Sequence, residues 1–301
     1  MATAINPESK PLFSAKDFRG PRPSWCPGCG DYGLLSATTK ALAKMGYAPH
    51  EVVIVSGIGC SGNFPHFTTS YGFHGTHGRA LPIAMGIKLA NPELEVVVVG
   101  GDGDGFGIGA GHFVHAARRN IDLTYIVMDN QIYGLTLGQA SPTSQEHMVT
   151  LTTPDGVDER RINPITLALG AGATYVARTF SGQGDHLEKT IIDAIEHKGF
   201  AFIDDISPCV TFNRLNTYDW YRERIYNLDE EEGYNHKDIA EAFKRGLEWG
   251  SRIPIGKFYQ ETRKPLEEIE RTLSTGINPV KSPLGLKANN ISPDDVFNEF
   301  R

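Results

Sequence analysis

The sequence predicts an α/β protein built on a mostly parallel sheet with helices on both faces. Three observations point there. Apolar runs of strand length alternate with helical patterns from Asp31 to Ile206. Those runs are nearly continuous in valine and isoleucine, as in Val96–Val99, so each strand has to be covered on both faces. Glycine, 33 residues in all, clusters between positions 57 and 138, where the runs end. Backbone must come close to something there, because glycine permits such approach and such φ angles.

The elements follow in order. Residues 1–24 are polar and Pro-rich, with Lys10, Lys16, Arg19 and Arg22, and read as an extended arm. Leu34, Leu35, Thr38, Leu42 and Met45 suit a helix from Asp31 that stops at Gly46, and Glu51–Ser56 is a β-branched strand stopped by Gly57. Gly78–Ala90 reads as a helix ended by Asn91 and Pro92, Glu95–Val99 as a buried strand, Gly109–Arg119 as a helix, and Leu123–Met128 as the next strand. A Ser-, Thr- and Pro-rich loop spans 136–154. Pro164–Leu169 is helical, Thr174–Arg178 a strand, Leu187–His197 a helix and Ala201–Ile206 a last strand, which gives a domain over 25–210. Residues 211–301 change character: they are charged, carry Tyr218, Trp220, Tyr221 and Tyr226, and hold helices near Lys237–Trp249 and Pro265–Leu273. They read as an extension that packs on the sheet or on a partner chain. In such a fold ligands belong at the carboxyl ends of the strands.

A formal net charge of −7 argues against a nucleic-acid binder, which shows a basic patch or stripe. No stretch approaches the roughly 18 apolar residues of a membrane span, and the N-terminus lacks an apolar signal region. The expectation is a soluble, cytoplasmic protein whose thiols stay reduced.

The four cysteines are the sharpest feature. Cys26 and Cys29 form a W-C-P-G-C-G knuckle, Cys60 stands in G-I-G-C-S-G, and Cys209 follows a proline in I-S-P-C-V. A zinc ribbon normally uses two C-x2-C knuckles. One knuckle and two isolated thiols at the ends of apolar runs suit a four-thiolate iron–sulfur cluster, with zinc or unrelated buried thiols as the other readings. The same G-I-G-C-S-G has the G-x-G-x-x-G form of a dinucleotide fingerprint. That reading fails twice: the adjoining segment, N-F-P-H-F-T-T-S-Y-G-F-H-G, is no helix, and no acid stands between Glu51 and Glu93 to hold a ribose.

A second turn, V-V-V-V-G-G-D-G-D-G-F-G-I-G from Val96, leaves a buried strand and enters a helix. Its backbone amides suit a diphosphate, and a carboxylate beside them can hold the Mg²⁺ that neutralises it. The next strand ends in M-D-N-Q-I-Y-G. If the two strands are parallel neighbours, Asp102 and Asn130 meet at one edge and, with a main-chain carbonyl just beyond, supply part of an octahedral oxygen shell. Two ordinary turns using Asp, Asn and Gly are the plainer reading.

These motifs carry a resemblance. G-D-G followed after one helix and one strand by Asn, with W-C-P-G-C-G, G-I-G-C-S, H-G-x-H-G-R-A and Y-G-L-T-x-G-Q-x-S-P-T in the same order, resembles the β subunit of a 2-oxoacid:ferredoxin oxidoreductase, nearest to those acting on 2-oxoglutarate, over residues 20–215. The resemblance implies a thiamine diphosphate-binding fold and reversible oxidative decarboxylation of the 2-oxoacid to an acyl-coenzyme A and CO₂, with electrons passing to ferredoxin. It implies one [4Fe-4S] cluster on Cys26, Cys29, Cys60 and Cys209, and Mg²⁺ on Asp102, Asn130 and the Ile132 carbonyl. Gly101, Gly103 and Asp104 would line the diphosphate turn, and Gly59, Cys60, Ser61, His77, Tyr133, Gly134, Leu135 and Thr136 complete the cofactor wall. It further implies an α subunit that bears the pyrimidine-binding domain, paired in a heterotetramer, without which the chain is inactive.

His74, His77 and Arg79 are candidates to orient or protonate substrate or cofactor. Their plainer reading is a packed loop, and His112 and His115 read as structural. Y-G-L-T and I-S-P-C-V-T-F-N point to 2-oxoglutarate. Some relatives, however, carry Lys where this chain has Leu137, and a basic residue near Asn63, so pyruvate or a broad range of 2-oxoacids stays open. Two rivals complete the set: a non-redox thiamine diphosphate enzyme with structural zinc, and an electron-transfer subunit whose GDG turn holds a nucleotide.

Overall fold

The computed structural model describes residues 12–270, 278–281, 294 and 298. Helix α1 (Asp31–Lys44) leads to β1 (Val52–Ser56), a 3-10 helix (Ser61–Phe67), β2 (Tyr71–His74), α2 (Ala80–Ala90), β3 (Glu95–Gly101), α3 (Ala110–Arg119) and β4 (Leu123–Asp129). A hairpin of β5 (Ile132–Tyr133) and β6 (Gln139–Ala140) precedes α4 (Pro164–Ala171), β7 (Tyr175–Phe180), α5 (Gly184–Glu196) and β8 (Phe200–Ile206). Then come α6 (Tyr218–Arg222), β9 (Ile225–Asn227), α7 (Ile239–Gly246), β10 (Ile253–Gln260) and α8 (Leu266–Ile269). The main sheet runs β2-β1-β3-β4-β8-β7-β10-β9, and every pairing is parallel except that of β10 with β7.

Consecutive valines alternate between two cores. Val96 and Val98 join the cluster that includes Phe106, Phe113 and Phe202. Val97 and Val99 join the opposite one, with Trp25, Leu34, Leu42 and Ile191. This is the double-sided burial expected of a strand covered by helices on both faces. Helix ends follow local chemistry as well: Asn120 stops α3 at φ 52°, and Asn163 starts α4 by accepting from the amides of Ile165 and Thr166.

Three expectations need correction. The segment after Cys60 does contain a helix, the 3-10 turn Ser61–Phe67 with Pro65 inside it, since its tighter bonding tolerates sequences that an α-helix rejects. Tyr71–His74 is an edge strand rather than loop. It is exposed along its whole length, so it lacks the apolar alternation that marks a half-buried strand. The stretch 225–260, for which the sequence offered a helix near Lys237–Trp249 and no strand, adds β9 and β10 to the sheet. Helix α7 is shorter than Lys237–Trp249, and the end of the other expected helix, residues 271–273, lies outside the described residues. No helix among the described residues is long and apolar enough to cross a membrane.

Candidate active site

Gly101 of β3 is in register with Met128 of β4, so Asp102 and Asn130 leave the sheet side by side. With the turn after β1 they enclose a cavity of about 550 Å³. Every residue expected on the cofactor wall lines it, from Gly59, Cys60, Ser61 and His77 through Gly101–Asp104 to Asn130 and Ile132–Thr136. Asp31, Ile58, Met128, Gln139 and Ala140 line it too and were not anticipated.

Asp102 is 1% exposed and accepts hydrogen bonds from the hydroxyls of Ser141 and Thr143, the latter at 2.6 Å. Burial pushes its pKa up to about 6. Thr143 also lies 2.8 Å from Asp129 Oδ1. A hydroxyl has one proton, so one of these two contacts needs a proton from an acid. Asp129 fits that role, because burial and then the charge of Asp102 raise it well above the carboxylate range. The Asn130 amide oxygen accepts from the Ile132 amide at 3.0 Å, which turns the chain sharply beyond β4. A buried carboxylate beside an amide oxygen and main-chain carbonyls is a hard oxygen set that fits Mg²⁺, and a cation there offsets the burial that Asp102 suffers.

Asp104 does different work. Its Oδ1 accepts from the Ile58 amide at 2.9 Å, the Gly78 amide at 2.8 Å and His77 Nδ1 at 2.9 Å. One oxygen thus ties the turn after β1, the start of the segment before α2 and the diphosphate turn together. A Cβ on Gly57 would collide with the other oxygen of this carboxyl, so glycine is required there. Likewise a Cβ on Gly103 would run into the Tyr133 ring, and that ring donates from its hydroxyl to the Gly103 carbonyl at 3.1 Å. The π-type turn Asp104–Ile108 departs from helical geometry at Gly107, as such turns do at functional sites.

The thiols gather beside the same cavity. The Gly30 amide donates to the Pro208 carbonyl at 3.2 Å, which joins the knuckle to the segment carrying Cys209. Trp25 Nε1 donates to the Cys60 carbonyl at 2.7 Å. A Cβ on Gly134 would lie 3.6 Å from Cys60 Sγ and 3.7 Å from Cys209 Sγ. Burial and then the charge of Asp31 push the Cys60 thiol up to about 12 and raise Cys29 further. Ligand thiolates here therefore need a cationic partner. Among the described residues no three His, Cys, Asp or Glu side chains converge on a single metal ion. Asp31 itself is 1% exposed and accepts from Ser207 at 2.8 Å. As the first residue of a helix it looks in sequence like any first-turn acid.

Two of the three catalytic candidates are not brought to the cavity. His74 meets His66 at 2.9 Å, and Arg79 meets His112; both pairs are exposed. Only His77 lines the cavity, oriented by Asp104.

Residues 50–204 match the family described as thiamine pyrophosphate enzyme, C-terminal TPP binding domain, and residues 209–274 match the C-terminal family of the pyruvate ferredoxin oxidoreductase β chain. The chain is 50% identical over 247 residues to the 2-oxoacid:ferredoxin oxidoreductase subunit β of Saccharolobus solfataricus, covering 78% of this chain and 81% of that one. It is 42% identical over 236 residues to the 2-oxoglutarate synthase subunit KorB of Archaeoglobus fulgidus, covering 74% and 88%. Its fold matches the 2-oxoglutarate:ferredoxin oxidoreductase of Magnetococcus marinus, solved with 2-oxoglutarate, coenzyme A and succinyl-CoA bound, at a TM-score of 0.87, 37% identity and 98% coverage of both chains. The diphosphate turn, the thiols beside it and these likenesses agree: the chain belongs to the β subunits of the thiamine diphosphate-dependent 2-oxoacid:ferredoxin oxidoreductases.

Proposed function

We propose that the chain is the β subunit of a coenzyme A-acylating 2-oxoglutarate:ferredoxin oxidoreductase that carries Mg²⁺ and one [4Fe-4S] cluster and works in the cytoplasm with an α subunit as a heterotetramer. The observation that carries this reading is that Cys60 lines the same cavity as Asp102 and Asn130. Electrons released at the cofactor would therefore have the thiol-bound group as their neighbour. Thiamine diphosphate supplies the electron sink for decarboxylation, and the cluster supplies one-electron steps.

The chain's own residues would do the rest. Asp102, Asn130 and the Ile132 carbonyl would hold Mg²⁺ against the diphosphate, and the amides of the turn from Gly101 to Asp104 would face its oxygens. Asp104 holds His77 Nδ1, which leaves Nε2 as the atom able to hold or give a proton in the cavity. His74 and Arg79, outside the cavity wall, fit a structural role in this reading.

The substrate assignment draws on the Magnetococcus marinus and Archaeoglobus fulgidus relatives. A second reading, a broader 2-oxoacid range, is favoured by Leu137. It is 64% exposed at the end of the segment that lines the cavity and offers no charge to a γ-carboxylate. One anaerobic preparation of the chain with its α subunit tests both: iron, sulfide, Mg²⁺ and thiamine diphosphate are quantified, and coenzyme A-dependent dye reduction is compared for 2-oxoglutarate and pyruvate. A colourless, zinc-containing sample would sink the redox reading. Equal kcat/KM for the two acids would select the broad range.

A further inference from the structure

Resting on the reading that electrons leave through the thiol-bound group, we propose that an acidic iron–sulfur protein, a ferredoxin, docks over the knuckle on a patch of Gly28, Val210, Arg214 and Tyr218, with Arg22 and Arg214 as its charged rim. The thiols open two ways. Cys60 lines the cofactor cavity, whereas Cys209 lines a separate hollow of about 320 Å³ with Val210, Asn213, Arg214 and Tyr218, none of which reaches the first cavity. Cys26 is exposed. A Cβ on Gly28 would lie 3.7 Å from Val210 Cγ1, so the knuckle and this hollow form one surface. Electron transfer weakens steeply with distance, and on this side Cys26 is open to solvent.

Charge selects the occupant. The chain carries −7 in all, yet residues 12–30 and 207–218 hold Lys16, Arg19, Arg22 and Arg214 against Asp17 alone. Arg22 and Arg214 are exposed and take part in no ion pair among the described residues, while nearby Arg222 is already committed to Asp219 at 2.8 Å. Val210, which shares the hollow with Arg214, and Leu215, next to Arg214 in the chain, are 42% and 48% exposed. A small apolar centre with an unneutralised basic rim suits a transient acidic partner, whose encounter such charges steer.

The test uses the complex of this chain with its α subunit, assayed with 2-oxoglutarate and coenzyme A against two acceptors: a purified acidic ferredoxin and methyl viologen, which needs no docking surface. Arg22→Glu combined with Arg214→Glu should raise the KM for ferredoxin about tenfold and flatten its dependence on NaCl, with methyl viologen reduction within about twofold of wild type. Lys at both positions should restore most of the ferredoxin activity. Unchanged KM for ferredoxin, or equal losses with both acceptors, overturns the proposal. So does dissociation of the double variant from the α subunit on gel filtration, which would make the patch a subunit interface. Absence of 2-oxoacid-dependent viologen reduction in the wild-type complex would instead overturn the functional reading, and the docking with it.

Discussion

Asp102 and Asp104 stand two positions apart in one motif and face opposite demands. Asp102 keeps its carboxyl buried at the cavity, held by the hydroxyls of Ser141 and Thr143 and by amides of its own turn, and Asp104 spends one oxygen on three donors from two other segments. Asp102→Ala should therefore empty the site of Mg²⁺ and thiamine diphosphate while iron stays bound, because an octahedral Mg²⁺ site tolerates loss of a ligand poorly. Cys209→Ser should do the reverse, losing iron with the cofactor retained. Acid extraction of cofactor and colorimetric iron on both variants decide this, and parallel losses in either one would mean that the two sites do not assemble independently. Asp104→Ala leaves two backbone amides without an acceptor and should cost roughly 2–4 kcal/mol in urea unfolding. Asp104→Asn keeps an acceptor oxygen and should cost clearly less; equal losses would show that charge, not bonding, is what matters. Asp102 was legible from its motif because glycine, acid and strand end are consecutive in sequence. The roles of Asp104 and Asp31 were not, since their partners come from Ile58, Gly78 and Ser207, which only folding brings near.

At the scale of elements, the central strands were readable because their double-sided burial leaves long apolar runs, and helices α2, α3 and α4 because Asn91, Asn120 and Gly172 close them. The periphery was not. Strand β2 is exposed throughout, and β10 contains Pro254 and Gly256, residues that mark turns rather than strands. Asn120 shows how that periphery is fastened: its side chain donates to the carbonyls of Arg263 and Lys264 and accepts from Thr174 and the Phe200 amide. Thr174 in turn meets His197 at 2.7 Å, and His197 is 7% exposed. Burial lowers this histidine to about 4 from the usual 6.5. The unfolded chain then binds the proton more readily than the folded one, so stability falls as pH drops from 6.5 to 4. The whole shift corresponds to about 3 kcal/mol. Thermal unfolding across that window should show the loss in wild type and a visibly flatter profile in His197→Gln; identical slopes would assign the acid sensitivity elsewhere.

At the scale of the whole molecule, the proposed function requires a site shared with the α subunit. The carboxylates that line the cavity are Asp31, Asp102 and Asp104, with no glutamate among the lining residues. Each already has partners: Ser207 for Asp31, hydroxyls for Asp102, and three donors for Asp104. Only Asp31 keeps a buried oxygen, Oδ2, without a hydrogen-bond partner, and that carboxyl stands against Cys29 among the thiols; thiamine diphosphate needs an acid against its aminopyrimidine ring to become reactive. Around the cavity, Ile58, Ile108, Leu135 and Leu137 are 38–64% exposed, an apolar rim of the kind that a partner covers. The described residues hold one cofactor turn and one main sheet, which is the diphosphate half of such a site. Purified alone with Mg²⁺, thiamine diphosphate, 2-oxoglutarate and coenzyme A, the chain should not sustain reduction of methyl viologen, and adding the α subunit should restore it. The apolar rim makes a second, independent readout: Leu135→Asp with Leu137→Asp should weaken association with the α subunit while the isolated chain keeps its thermal stability, since both side chains are exposed. Sustained turnover by the chain alone would place the missing acid within this sequence and remove the need for a shared site.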